Sequence, residues 1–372
     1  MEQVDLVVSL LPASCHVDLA KICIRRKINL VTASYVSPQM SSLHKSAVEN
    51  NVILLNEVGL DPGIDHMSAM DVIHQVQSEG GEIESFRSSC GGLPAPEAAS
   101  NPLGYKFSWN PRGVLTASQN DAQYLQDGKL VQVSGSDLLS VAKPIHLNPA
   151  FALEVLPNRD SLPYAQLYGI PNVKTMFRGT LRYRGFSSVM NVFQKVGYFS
   201  DSLIPSADSS TPNWKNLSEN LISSHFSVDD FPTKIEDYLT KLIDSNHSQT
   251  AEVSNAISAL NFLGMLSENE KVHSTSSKST IIEAFCALLE KKLKYLPNER
   301  DLVLLHHQFG IKFPDRKENR TSTLLCYGDP NGHSAMAKTV GFPAAICSQM
   351  ILDGEITTAG VLRPLDSSIY EP

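Results

Sequence analysis

VDLVVSLL, residues 4–11, is apolar at nearly every position, which marks a strand buried on both faces inside a parallel sheet. The residues beyond it extend that reading. His16 to Lys27 repeats apolar positions at helical spacing (Val17, Leu19, Ala20, Ile22, Cys23), and NLVTA at 29–33 is a second strand. Residues 38–50 predict another helix and 52–55 a third strand. Strands alternating with helices at this pace predict right-handed βαβ units and a doubly wound sheet. Ligands of such sheets lie beyond the carboxyl ends of the strands, here residues 9–12, 33–35 and 57–63. A dinucleotide site also needs a Gly-rich first turn, where backbone amides reach the pyrophosphate. The first glycine of the chain is Gly59. Either this is no dinucleotide fold, or the half carrying that turn is missing.

Further along, Met67, Met70, Val72, Ile73 and Val76 give residues 65–80 one apolar helical side. Residues 82–89 alternate as a strand that runs into a turn-rich loop, Cys90-Gly91-Gly92-Leu93-Pro94-Ala95-Pro96-Glu97. Residues 105–109, 129–134 and 173–183 are further strand candidates, which predicts a second, mixed α/β sheet. After Gly185 the pattern turns helical, near 187–197, 213–223, 232–244, 250–266 and 279–294, with Ser-rich linkers at 206–212 and 273–279. Strands return at 301–306 and 321–327. A last helix at 334–352 contains Gly341 and Pro343 and is expected to kink there.

The chain has 372 residues with 42% hydrophobic and 19% charged, a globular composition long enough to fold without disulfides or metals. Its formal charge of -8 argues against nucleic-acid binding. Six cysteines lack CxxC pairs or zinc spacing, which suggests a reducing compartment and no metal site. No apolar run is read as reaching the roughly 18 residues of a membrane span, and Glu2 and Asp5 do not suit a signal peptide. The expectation is a soluble, intracellular protein.

Asp61-Pro62-Gly63 is a turn by composition, and its place at a strand's carboxyl end favours a ligand role. Tyr35 reads as an edge aromatic, and Cys90 as a buried thiol. Arg159 reads either as a surface partner of Asp160 or, with Arg182, as a carboxylate clamp, a task suited to the paired donors of guanidinium. Adjacent His306 and His307 point to opposite faces of a strand, which discards a metal pair. The residues alone support an α/β protein with a cleft for an anionic small molecule.

At SLLP (9–12), VTASY (31–35), GLDPGIDHM (59–67), CGGLPAPE (90–97), NPLGYKFSW (101–109), PNRDS (157–161), RGTLRYRG (178–185) and NGHSAMAKTVG (331–341) the chain resembles the glutamate-forming saccharopine dehydrogenases. Most of all it resembles the dehydrogenase half of bifunctional α-aminoadipic semialdehyde synthase. The resemblance implies part of a Rossmann-like parallel sheet lacking its Gly-rich start (residues 1–64). It also implies a mixed α/β substrate and dimerisation domain (65–186 and 299–330), an inserted helical lobe (187–298) and a C-terminal helix returning to the nucleotide domain (331–372). The implied reaction oxidises saccharopine, with NAD or NADP and water, to L-glutamate and α-aminoadipate semialdehyde; likeness to the bifunctional enzyme favours NAD.

Leu11, Ala33, Ser34, Gly59, Leu60 and Asp61 resemble cofactor-binding positions, and Ser34, Tyr35, Arg159, Thr180, Leu181 and Arg182 substrate-binding ones. Tyr35, Asp61 and Cys90 resemble candidates for acid–base work, and the sequence does not choose among them. A homodimer, an upstream lysine-ketoglutarate reductase domain, and a mitochondrial or cytoplasmic location all fit the resemblance. Two alternatives stand beside it. One is a truncated, catalytically inactive binding or dimerisation module; the other is a related enzyme acting on a different amine-linked diacid.

Overall fold

The computed structural model describes residues 4–204, 213–225, 235–242, 249–273 and 279–372. Strands Leu6–Ser9 (β1), Asn29–Thr32 (β2) and Ile53–Leu55 (β3) are joined through helices His16–Arg26 (α1), Pro38–Ser41 (α2) and His44–Glu49 (α3). They form a parallel sheet whose order is β1-β2-β3-β12, where β12 is Gly360–Leu362 from the far end of the chain. The apolar faces of β2 and β3 explain the pairing. Leu30 and Leu54 are buried toward α1 to α3, while Val31, Ile53 and Leu55 are buried on the other side.

Helix Ile64–Ser78 (α4) leads into the second sheet. Its strands are Glu82–Pro94 (β4), Ala122–Gln126 (β5), Lys129–Val133 (β6), Lys143–Ile145 (β7), Leu153–Pro157 (β8), Thr175–Tyr183 (β9), Asp301–Lys312 (β10) and Lys317–Tyr327 (β11). The order is β11-β10-β4-β9-β5-β6, with β8 also on β9 and β7 beyond it. Only β4 and β9 run parallel, so the sheet is mixed. Short helices Pro111–Ala117 (α5) and Pro163–Leu167 (α6) lie along the way. Cores form where α4 and α6 cover one face, around Ile73, Phe86, Tyr168 and Phe309.

Helix Phe186–Val196 (α7) opens the helical region. Glu154 is buried and accepts from the Gly185 and Ser187 amides, satisfying donors that a helix start leaves unpaired. Helices Trp214–Ser223 (α8), Ile235–Leu242 (α9), Gln249–Leu263 (α10) and Ile281–Lys292 (α11) follow, and Phe193, Trp214 and Phe285 lie in their common core. The Ser-rich linkers read at 206–212 and 273–279 fall largely outside the described residues, as do the ends of the 232–244 helix. Helix Ala335–Leu352 (α12) runs unbroken past Pro343 and lies against β1, β2 and β10; Ser367–Tyr370 (α13) ends the chain.

Three expectations need correction. Residues 90–94 are not a loop but the last part of β4, because β10 pairs with them along their whole length and Gly91 lets Leu181 of β9 approach. An ideal Cβ on Gly91 would stand 2.7 Å from the Leu181 carbonyl oxygen. Residues 105–109 form no strand; Tyr105 and Phe107 pack edge to face instead. Strands β5, β7 and β8 are additions that the sequence reading does not contain. Finally, α12 is 18 residues long with mean hydropathy 1.2, so among the described residues one helix has the length and composition of a membrane span, with 39% of it buried.

Candidate functional site

The site grows from the carboxyl ends of β2 and β3. After β3 the chain folds tightly: the Gly59 amide donates to the Pro62 carbonyl, and the Ile64 amide donates back to the Gly59 carbonyl. Gly63 has φ +150°, and an ideal Cβ there would lie 1.9 Å from the Gly59 oxygen. Only glycine closes this loop. The loop therefore is a turn, and it also delivers Asp61 and Asp65 to one place.

Tyr35 Oη, at the end of β2, donates to Asp61 Oδ1 at 2.5 Å. Behind the pair lies Arg178 of β9, buried, whose Nη2 stands 2.6 Å from Asp61 Oδ1, 2.6 Å from Asp65 Oδ2 and 3.1 Å from Tyr35 Oη. The Tyr164 ring lies 4.2 Å beneath the guanidinium. Asp65 also accepts from the Gly63 amide at 2.6 Å. Deeper still, His66 is fully buried, with Nδ1 2.7 Å from Tyr168 Oη. Its Nε2 is 2.9 Å from Glu57 Oε2, in ion-pair range but off the line of a hydrogen bond. Glu57 Oε1 accepts from the Val36 amide and from Arg363 Nε.

Burial raises the Asp61 carboxyl above its ordinary value, with Asp65 adding to the rise and Arg178 opposing it. Burial would raise Asp65 too, but His66, Arg178 and the Gly63 amide outweigh it and hold that carboxyl low. Glu57 is likewise held low against its burial by His66, Arg363 and the Val36 amide. Burial pushes the Tyr35 phenol and the Cys90 thiol well above their usual ranges. Asp61 is thus the member of the expected acid–base trio whose charge changes most readily.

Arg159 is exposed, with φ +51°, and its guanidinium lies 5.9 Å from the Tyr35 ring centre. The expected surface pair with Asp160 is not formed, because Asp160 accepts from Gln123 and the Leu162 amide. Arg182 is 7% exposed and sits over the rings of Tyr105 and Phe186. Its Nη1 donates to the Leu181 carbonyl, its Nε has no partner, and no carboxylate pairs with it among the described residues. The charges of Asp61, Asp65, Arg178 and Arg182 all act on the buried Cys90 thiol.

Of the remaining expected positions, Ala33 and Gly59 meet closely, an ideal Gly59 Cβ lying 3.0 Å from the Ala33 Cβ. Ser34 Oγ is 2.9 Å from Nε2 of buried His16, whose Nδ1 reaches Ser9 Oγ. Leu11 is exposed beside Leu10 at the end of β1, and Leu60 is buried against Cys90. The Leu181 side chain instead packs into a core with Leu93, Leu302 and Leu304, leaving only backbone for a ligand. Thr180 is half-buried opposite Cys90 in the β4–β9 pairing. A cleft of about 650 Å³ beside the start of α12, lined by Phe107, Tyr295, Arg300 and Ser334, shares no residue with this cluster.

Arg178, Asp65, His66 and Glu57 were not singled out from sequence. One signal was present: 178, 180 and 182 alternate along a strand, so Arg178 shares a face with Thr180 and Arg182. A nicotinamide cofactor fits the strand ends chemically, since apolar Leu10 and Leu11, the Ser34 hydroxyl and the closely approached backbone at Gly59 can flank a ring and its ribose. Residues 4–58 hold no glycine for a pyrophosphate turn.

Residues 59–372 match the model of the saccharopine dehydrogenase C-terminal domain, and residues 1–55 match the saccharopine dehydrogenase NADP binding domain. The chain is 41% identical over 373 residues to the NADP(+)-dependent, L-glutamate-forming saccharopine dehydrogenase of Pyricularia oryzae, covering 99% of this chain and 80% of that protein. It is 44% identical over 382 residues to the alpha-aminoadipic semialdehyde synthase of Arabidopsis thaliana, covering 100% of this chain but 36% of the relative. Among solved structures, the apo, L-Glu-forming saccharopine dehydrogenase of Saccharomyces cerevisiae superposes with a TM-score of 0.87 at 39% identity, covering 100% of this chain and 81% of that one.

Proposed function

The chain belongs to the saccharopine dehydrogenase family, and we propose from that premise that its site oxidises saccharopine to L-glutamate and α-aminoadipate semialdehyde. The observation that carries the reading is Arg182, a buried guanidinium without an acidic partner among the described residues, with Arg159 standing over Tyr35. A buried unpaired charge is costly and is explained by a ligand that supplies the opposite charge. Saccharopine supplies carboxylates.

In this reading Arg182 and Arg159 hold substrate carboxylates and orient the carbon beside the secondary amine. When bound at the strand ends, a nicotinamide would supply the hydride acceptor for that carbon. Asp61 takes the proton from the substrate nitrogen and later helps water add to the imine carbon. Tyr35 keeps its proton near neutral pH and donates to Asp61, fixing the orientation of that carboxylate; Cys90 stays a thiol and shapes the wall. Ser34, Leu11, Ala33, Gly59 and Leu60 line the nicotinamide end.

NADP is the favoured cofactor, which reverses the lean toward NAD; the descriptions of the matched nucleotide domain and of the fungal relatives support it. We assign residues 1–64 and 331–372 to nucleotide binding, 65–186 and 299–330 to substrate binding, and 187–298 to the helical lobe. The alternative of an inactive module gains no separate support. An intracellular setting, mitochondrial or cytoplasmic, fits the relatives, of which the rat synthase is described as mitochondrial. The test is saccharopine-dependent formation of reduced nicotinamide by the purified, folded chain with NADP and with NAD. Turnover with NADP is expected; glutamate or saccharopine binding without turnover would overturn the catalytic reading for this chain.

A further inference from the structure

We propose that Arg178 and Asp65 are opposed positioning residues for Asp61: the guanidinium holds Asp61 as a carboxylate facing the substrate, and Asp65 competes for the same nitrogen. The geometry is specific. Arg178 Nη2 carries two hydrogens and faces three oxygens, those of Asp61, Asp65 and Tyr35, all within 3.1 Å. Its plane is fixed from below by Tyr164, and its backbone amide donates to Ser161 Oγ. Asp65 cannot move aside, because its other oxygen is tied to the amide of Gly63, the residue on which the whole turn depends. How much of the guanidinium reaches Asp61 is therefore set by how much Asp65 takes.

Charge around Asp61 comes from every packed element. Tyr35 follows β2, Glu57 follows β3, Asp65 and His66 lie on α4, and Cys90 is on β4. Arg159 follows β8, Tyr164 and Tyr168 belong to α6 and its end, Arg178 and Arg182 are on β9, and His307 is on β10. Within the hydrogen-bonded net, Glu57, Asp61 and Asp65 face Arg178 and Arg363. His66 also stands 2.9 Å from Glu57 and 3.8 Å from Asp65, while Arg178 is the guanidinium that Asp61 and Asp65 share. Asp61 is the carboxyl of the net nearest to open solvent, with 16% of its side chain exposed against 2% for Asp65 and for Glu57. A proton exchanged with a ligand therefore passes most directly through Asp61.

The inference rests on the reading that Asp61 carries the substrate proton, but it is testable without turnover. Removing Arg178 withdraws the favourable charge and raises the Asp61 titration midpoint; removing the charge of Asp65 withdraws repulsion, frees Nη2 and lowers it. General damage to the site gives no reason for opposite signs. The experiment follows the carboxyl titration of Asp61 by carbon NMR in the full-length chain, assigned with Asp61→Asn. It is run in wild type, Arg178→Gln, Arg178→Lys and Asp65→Asn.

We expect a rise of about one pH unit or more in Arg178→Gln, partial recovery in Arg178→Lys, and a comparable fall in Asp65→Asn. Shifts of the same sign, or none, overturn the proposal. Should Arg178→Gln fail to fold, Asp65→Asn decides alone, since an unmoved or raised midpoint there is already fatal. The acid limb of kcat/KM is expected to move with the titration. Opposite shifts in a chain that never turns over saccharopine sink the proposed function and leave this inference standing. Turnover with an unmoved Asp61 does the reverse.

Discussion

The two arginines of the clamp differ in burial, and their contributions differ accordingly. Arg182 is sealed over Tyr105 and Phe186, whereas Arg159 stands in solvent over Tyr35. Replacing Arg182 with Ala is expected to cost about 2–5 kcal/mol of substrate binding, the range for a desolvated charge contact. Arg159→Ala belongs near the surface-pair range of roughly 0.2–1 kcal/mol, plus whatever the bound ligand shields. Steady-state KM values for both variants check this, and equal KM values in the two variants and the wild type would remove the clamp. The Cys90 thiol, 5% exposed and pushed well above its ordinary range, is expected to alkylate far more slowly at neutral pH than exposed Cys15. Peptide mapping after timed iodoacetamide exposure tests it; early labelling of Cys90 would return the thiol to the list of proton carriers. Tyr35, Asp61 and Arg182 were legible because strand ends and a family-like string flagged them. Arg178 was not, because an arginine in an alternating strand looks the same whether it faces water or a buried carboxylate pair.

At the scale of elements, local pattern was readable wherever one element decided its own burial. The helices at 16–26 and 64–78 and the strands at 29–32 and 53–55 lie within two residues of where periodicity puts them. Errors came where a neighbour decides. Residues 90–94 have loop composition, yet they continue β4, since β10 pairs with them along their whole length and β9 comes close at Gly91. Gly91→Ala is accordingly expected to cost about 1–3 kcal/mol, as an overpacked site does, because the atom it meets is backbone and not the tip of a flexible side chain. The same push displaces Leu181 and its neighbour Arg182, so a higher saccharopine KM should accompany the lower melting temperature. Thermal unfolding with parallel kinetics measures both. A variant that melts like wild type would mean that the close approach of the two strands is not what keeps this position glycine.

For the whole molecule, the order of the segments could be read from sequence and their spatial neighbours could not. Nothing near residue 360 says that it adds a fourth strand beside β3, and nothing local joins β4 to β10 across two hundred residues. Such contacts carry the fold's response to pH. His307 of β10 is fully buried, its Nε2 2.9 Å from Ser68 of α4 and its ring against Phe86 of β4. Burial lowers its pKa from 6.5 to about 4. Between those values the unfolded chain binds a proton that the folded chain refuses, so stability falls as pH drops through this window, by on the order of 3 kcal/mol in full. His16 and His306, also lowered by burial, act in the same direction. The depressed Glu57 and Asp65 add their loss at lower pH, below the ordinary carboxylate range, while raised Asp61 works against them. Acid weakening therefore begins with histidine, well above the carboxylate range. His307→Gln is expected to flatten the decline in melting temperature between pH 7 and pH 5 relative to wild type, even if it starts lower at pH 7. A decline as steep as that of the wild type would show that the junction between α4 and the large sheet is not where the acid sensitivity lies.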